Sequence, residues 1–164
     1  MAPSAARHSP LNPLAGRRTP PFEGGRSMRS KTSLYRARAT AIGGRVGGAA
    51  SADGRLRVRL DDPADPVGRG TNPEQLFAAA YAACFLSALR RAAAEEGVAI
   101  APDGNVTAEV SLSDDADAAL SVDLSIDLAG LDDAVAARLV AAAHARCPYS
   151  KAMRGDARVD VRIV

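Results

Sequence analysis

Apolar and polar residues alternate with a period of two in several short stretches of the chain, the pattern of half-buried strands. Arg55–Leu60 alternates strictly, with Leu56, Val58 and Leu60 on one face, and it follows Asp53-Gly54, a hairpin signal. Leu34–Ala41 alternates more loosely. Asn105–Leu112 and Leu120–Leu128 read as strands on either side of an acidic turn, Ser113–Asp117, and Ala157–Val164 closes the chain with Val159, Val161 and Ile163 on one face. Ile42–Gly48 reads as a Gly-rich turn, and Asp61–Gly70, with Pro63 and Pro66, as a loop. The period then changes. Asn72 is placed to cap a helix, Pro73 takes its first position, and Gln75 completes a capping box. That helix runs through Glu96 and stops at Gly97. Asp132 or Asp133 opens a second helix to about Arg146, and residues 148–154 form a short third one.

Strands segregated from helices in this order predict an α+β fold with a mostly antiparallel sheet. From Leu76 to Leu89 the first helix is apolar on all sides over about four turns, which predicts burial all round. A domain of this size with one sheet can hardly surround such a helix alone. The expected architecture is therefore an obligate homodimer with the long buried helix at its centre.

Composition sets the boundary of the folded part. Five of the ten prolines lie in residues 1–32, which show no apolar periodicity. This segment carries Arg7, Arg17, Arg18, Arg26, Arg29 and Lys31 against Glu23, a net +5, so the remaining 132 residues of this +2 chain are net −3. We read 1–32 as a disordered, basic, Pro-rich extension and 33–164 as the folded domain, with Met28 as an alternative start. A mildly acidic body argues against nucleic-acid binding. No run of 18 apolar residues occurs, so no membrane-crossing helix is expected, and the extension lacks the apolar core of an export signal.

Candidate chemistry centres on Cys84 and Cys147, the two cysteines of the chain. Two buried small hydrophobes are one reading. Metal binding is poorly supported, because two thiols with His8 and His144 lack ligand spacing, and no metal is expected. Without an export signal a structural disulfide is disfavoured, which leaves thiol redox chemistry. Cys147, in Cys-Pro-Tyr-Ser, stands where one helix ends and the next begins, and there free N–H groups favour a thiolate. Cys84 lies about 16–18 Å from the start of its helix at 1.5 Å per residue, too far for the dipole. Burial there raises a thiol pKa, so reactivity requires a cation from elsewhere. Arg45, in Gly43-Gly44-Arg45-Val46-Gly47-Gly48, is the candidate, against the alternative of an ordinary exposed hairpin Arg.

These residues together resemble a known family. Thr71-Asn72-Pro73-Glu74-Gln75-Leu76-Phe77-Ala78-Ala79, Tyr81 and Ala83-Cys84-Phe85 are followed by Ala142-Ala143-His144-Ala145-Arg146-Cys147-Pro148-Tyr149-Ser150 and Arg154-Gly155. With Ala39–Arg45 and Leu128–Asp132, this wording is similar to the organic hydroperoxide resistance (Ohr) proteins of the OsmC/Ohr superfamily, over about 33–164. The resemblance implies an α+β fold assembled as an intertwined homodimer, and a thiol-based peroxidase of the bacterial cytoplasm. Such a protein reduces alkyl and fatty-acid hydroperoxides to alcohols without metal, flavin or other cofactor, and is re-reduced by a dithiol such as a dihydrolipoyl-bearing protein. It implies Cys84 as the peroxidatic cysteine, Cys147 as the resolving one, Arg45 as the cation that holds the thiolate, and Glu74 as the residue that orients Arg45. Phe77, Tyr81 and Phe85, with the small residues around Cys84, would form an apolar substrate pocket.

Glu74 and Cys84 are ten residues apart, about 15 Å along a straight helix. One Arg45 cannot reach both, so the helix breaks between them or the two residues of one site come from different chains; we expect the second. Ala80 and Ala82 flank Tyr81 where relatives often carry Gly and Ser, a departure that bears on substrate preference. The competing readings are an OsmC-type hydroperoxidase of broader peroxide range and a non-enzymatic dimeric module for apolar ligands.

Overall fold

The computed structural model describes residues 35–65, 67–113, 120–155 and 157–164. The expected extension 1–32, Leu34 and most of the acidic turn Ser113–Asp117 lie outside the described residues.

Three short strands come first: β1 (Ala39–Ile42), β2 (Gly47–Ser51) and β3 (Arg57–Leu60). They pair antiparallel in the order β1-β2-β3. β2 corrects the sequence reading, which placed Ile42–Gly48 in a turn. Gly47-Gly48-Ala49-Ala50-Ser51 has no apolar alternation, yet it is the central strand, because it is held through backbone pairing on both sides: Ala39↔Ser51 to β1 and Gly47↔Leu60 to β3. The flanking strands are correspondingly shorter than expected.

Helix α1 (Pro73–Glu95) follows, then β4 (Asn105–Leu112), β5 (Leu120–Asp127), α2 (Asp133–Arg146), α3 (Pro148–Ala152) and β6 (Arg158–Ile163). β4 and β5 are antiparallel, whereas β6 joins β5 in parallel after crossing over through α2 and α3. The described residues thus hold two three-stranded sheets in place of the single sheet expected.

The helix ends follow the capping residues closely. Asn72 Oδ1 accepts the Gln75 N–H at 2.8 Å, and Gly97 sits beyond the last turn with φ +69°. The reciprocal half of the expected capping box is replaced: the Gln75 Oε1 accepts from Thr71 Oγ1 at 2.7 Å. Asp132 caps α2 by accepting from Ala134 and Val135 N–H.

The core lies between α1, α2 and the second sheet. Tyr81, Phe85, Leu89, Ala92 and Ala93 form one stripe of α1, spaced to share a helix face. They meet Val122, Leu124 and Ile126 of β5 and Ala136, Leu139, Val140 and Ala143 of α2. Each fully buried large side chain contributes about 1.5–3 kcal/mol through area removed from water.

The all-round burial predicted for α1 is not met within one chain. The second sheet and α2 cover only one side, so Ala79 and Ala83 are exposed and Leu76 and Leu86 are half-buried. β1 is exposed along its length, with Ile42 77% accessible. By length and mean hydropathy α1 would suffice to cross a membrane, a property shared by core helices of water-soluble proteins; its buried stripe packs against β5 and α2.

Candidate active site

Cys84 and Cys147 are 63 residues apart in sequence, and their sulfurs are 3.6 Å apart as free thiols. Cys84 lies near the middle of α1, one residue before core Phe85, and is half-buried. Cys147 is fully buried at a hinge of the backbone: it ends α2 and begins α3. Pro148 enforces that break, since it cannot continue α2 but is suited to the first position of α3.

Burial pushes the Cys84 thiol above its ordinary pKa, and the adjoining Cys147 sulfur adds to the rise. The opposing influence is the Tyr149 N–H, which faces Cys84 from the first turn of α3. The backbone donor expected to serve Cys147 is therefore directed at Cys84. A helix that crosses the site supplies it, and no spacing along the sequence points to that crossing.

Arg45 sits at the tip of the β1–β2 hairpin. The turn is tight: a Cβ at Gly43 would lie 2.4 Å from the Val46 carbonyl oxygen, and one at Gly47 would lie 2.2 Å from that of Ile42. The Arg45 guanidinium grips Glu74 of the same chain with two bonds, Nη1 to Oε2 at 2.9 Å and Nη2 to Oε1 at 2.6 Å. Glu74 is in the first turn of α1, where the helix end favours a carboxylate. Its hydrogen bond to Arg45 holds its pKa below the usual range, and the same contact raises that of Arg45. A cavity of about 520 Å³ runs beside this pair, walled by Ala78, Ala108, Val110 and Leu112.

The loop leading into α1 is shaped by Asp61, which sequence reasoning missed. Its carboxylate accepts from the N–H groups of Arg69 and Gly70 and from Arg59 Nε. The Gly70 N–H is the main reason that this carboxyl titrates below its normal range.

The four residues given catalytic roles by sequence thus fall into two pairs. The two thiols meet, and Arg45 meets Glu74, but the pairs lie apart: α1 runs unbroken from Pro73 to Glu95, so Glu74 and Cys84 are separated by about 15 Å of helix. A second cavity, about 600 Å³, opens on Cys84. Ser87, Ala88 and Pro148 wall it, and Arg91, Arg146, Lys151 and Glu95 rim it. Arg91 and Arg146 both bridge to Glu95. Phe77, Tyr81 and Phe85, expected to line the substrate pocket, do not line this cavity. Tyr81 and Phe85 are 0% exposed and belong to the core stripe, while Phe77 packs against the rings of Tyr81 and Tyr149 at 5.8 and 5.9 Å. Their spacing of four residues places them on the face of α1 that meets β5 and α2. Among the described residues no His, Cys, Asp and Glu side chains group as a metal site.

Known proteins resemble this chain over most of its length. Residues 65–162 match the family model described as OsmC-like protein. The organic hydroperoxide resistance protein OhrB of Bacillus subtilis is 46% identical over 136 residues, covering 80% of this chain and 97% of that protein. The organic hydroperoxide resistance protein of Xanthomonas axonopodis pv. citri is 41% identical, covering 79% and 93%. The crystal structure of a Legionella pneumophila organic hydroperoxide resistance protein superimposes with a TM-score of 0.75 at 42% identity, over 80% of this chain and 98% of the other.

Proposed function

The chain belongs to the OsmC-like protein family, with organic hydroperoxide resistance proteins among its relatives, and from that premise we propose that it is a thiol-dependent peroxidase for organic hydroperoxides. The observation that carries the reading is the 3.6 Å contact between two free thiols that sequence alone leaves 63 residues apart. Cys84 is the peroxidatic residue, because its sulfur opens on a cavity while that of Cys147 is buried. The Cys84 thiolate attacks the distal oxygen of the hydroperoxide, the O–O bond breaks, and the alkoxide takes a proton and leaves as alcohol. Cys84 is now a sulfenic acid. The Cys147 thiol attacks that sulfur, water leaves, and a disulfide forms. An external dithiol of the dihydrolipoyl type, carried by a protein, reduces it by exchange. No bound cofactor is required, and the cycle suits the reducing cytoplasm.

A homodimer completes the site. The uncovered apolar face of α1 and the exposed strand β1 seek a partner. The Arg45–Glu74 pair of one protomer then serves Cys84 of the other, supplying the cation that lowers its pKa. Phe77, Tyr81 and Phe85 stand behind Cys84 as its apolar support.

The test is a free-thiol titration of reduced protein before and after about one equivalent of cumene hydroperoxide, with intact mass alongside. Loss of both thiols with loss of two hydrogens is expected. Thiols that survive excess peroxide would overturn the proposal in favour of a non-enzymatic apolar-ligand module.

A further inference from the structure

One buried hydrogen bond next to the thiols has no part in the steps above. The Tyr81 hydroxyl donates to Ser150 Oγ at 3.0 Å, and both residues are shut off from solvent, at 0% and 1% exposure. Tyr81 precedes Cys84 by three positions on α1, so the two share a face one turn apart. Ser150 follows Cys147 by the same interval. The two segments therefore meet at two rungs, sulfur on sulfur and hydroxyl on hydroxyl.

The second rung matters because α3 cannot place itself. It has five residues and no side-chain cap, far below the length at which a helix holds alone. Its position rests on what ties it to α1: the Tyr81–Ser150 bond and the ring cluster of Phe77, Tyr81 and Tyr149, with centroids 5.8–5.9 Å apart. α3 also begins at Cys147 and presents the Tyr149 N–H to Cys84, so its placement fixes both partners of the sulfenic acid.

We propose that Tyr81 and Ser150 are positioning residues that hold Cys147 against Cys84 and thereby decide whether the sulfenic acid closes to a disulfide or is oxidised further. This rests on the peroxidase reading. Two reactions compete for the Cys84 sulfenic acid. In the first, the Cys147 thiol displaces water and the S–S bond forms. In the second, another hydroperoxide molecule gives up an oxygen, leaving a sulfinic acid and an alcohol. Only the first depends on the distance between the sulfurs, and a misplacement of about 1 Å costs such a step on the order of 100-fold.

The experiment uses the full chain with Ser150→Ala and Tyr81→Phe, singly and together, and reads the products by intact mass under a large excess of cumene hydroperoxide. Wild type should lose two hydrogens. Ser150→Ala should still form sulfenic acid, yet divert most of the protein to the form with two added oxygens, with closure slowed by about 10- to 100-fold. Tyr81→Phe should shift the partition likewise, and the double variant should be no worse than the worse single, since either change removes the same bond. Thermal melts establish that the variants are folded. Folded variants that partition as wild type does would overturn the proposal. If wild type keeps both thiols in peroxide, the peroxidase reading fails separately, and closure driven by the thiol oxidant diamide reads the brace: slower closure in Ser150→Ala upholds it, and equal closure overturns it.

Discussion

A mixed dimer built from two inactive parents separates a site completed by one chain from a site completed by two. The parents are Arg45→Ala, which keeps both thiols but removes the cation, and Cys84→Ser, which keeps the Arg45–Glu74 pair but removes the reactive sulfur. In the structure both guanidinium ends of Arg45 are occupied by Glu74 of its own chain, and Cys84 lies about 15 Å further along the same unbroken helix. The cation of a chain is thus out of reach of that chain's Cys84. In a mixed dimer the Arg45→Ala protomer supplies Cys84, and the Cys84→Ser protomer supplies Arg45 and Glu74 to it. One site of two is complete, so the isolated mixed dimer should show about half of the wild-type turnover. If the cation acted within its own chain, the surviving Cys84 would lack it and no complete site would exist. The assay is dithiol-dependent reduction of cumene hydroperoxide by dimers co-expressed with two different tags and purified on both. A mixed dimer no more active than the Arg45→Ala parent would refute the reasoning.

Three further outcomes follow from individual contacts. Arg45→Ala should leave Cys84 with the raised pKa that burial imposes; thiolate grows as pH climbs toward that value, so thiol loss to peroxide should speed up about tenfold between about pH 7 and 8, while wild type stays nearly flat by stopped-flow measurement. Cys147→Ser should prevent disulfide formation, so that mass spectrometry shows addition of one oxygen and then two, without loss of hydrogens. Phe85→Ala empties a fully buried site in the centre of the core and should destabilise the fold by about 3–5 kcal/mol in urea denaturation.

Much of the fold was legible along the chain. Asn72-Pro73 and Gly97 marked both ends of α1, and Asp132 marked the start of α2, because caps act within a few residues of themselves. β5 was legible because Val122, Leu124 and Ile126 bury every second residue. β2 was not, since Gly47–Ser51 is a strand by virtue of its neighbours' hydrogen bonds. In the candidate site, Cys84 and Cys147 stood out by residue type. The Tyr81–Ser150 rung was discoverable in principle, because Tyr-x-x-Cys and Cys-x-x-Ser repeat one interval, but only if the two segments cross.

Residue type and local spacing alone determined the helix ends, the alternating strands, the hinge at Cys147-Pro148 and the choice of Cys84 and Cys147 as candidates. These depend on interactions spanning one or two turns. Tertiary structure decided the rest. It brought two thiols 63 residues apart to 3.6 Å, aimed the Tyr149 N–H at Cys84, and locked Arg45 onto Glu74 across 29 residues. It also chose which side of an evenly apolar helix went inward. Tyr81, Phe85 and Leu89 found partners on β5 and α2, while Ala79 and Ala83, equally apolar by composition, were left facing outward. Hydrophobicity states that a surface must be covered; what covers it is set by the packing of elements distant in sequence.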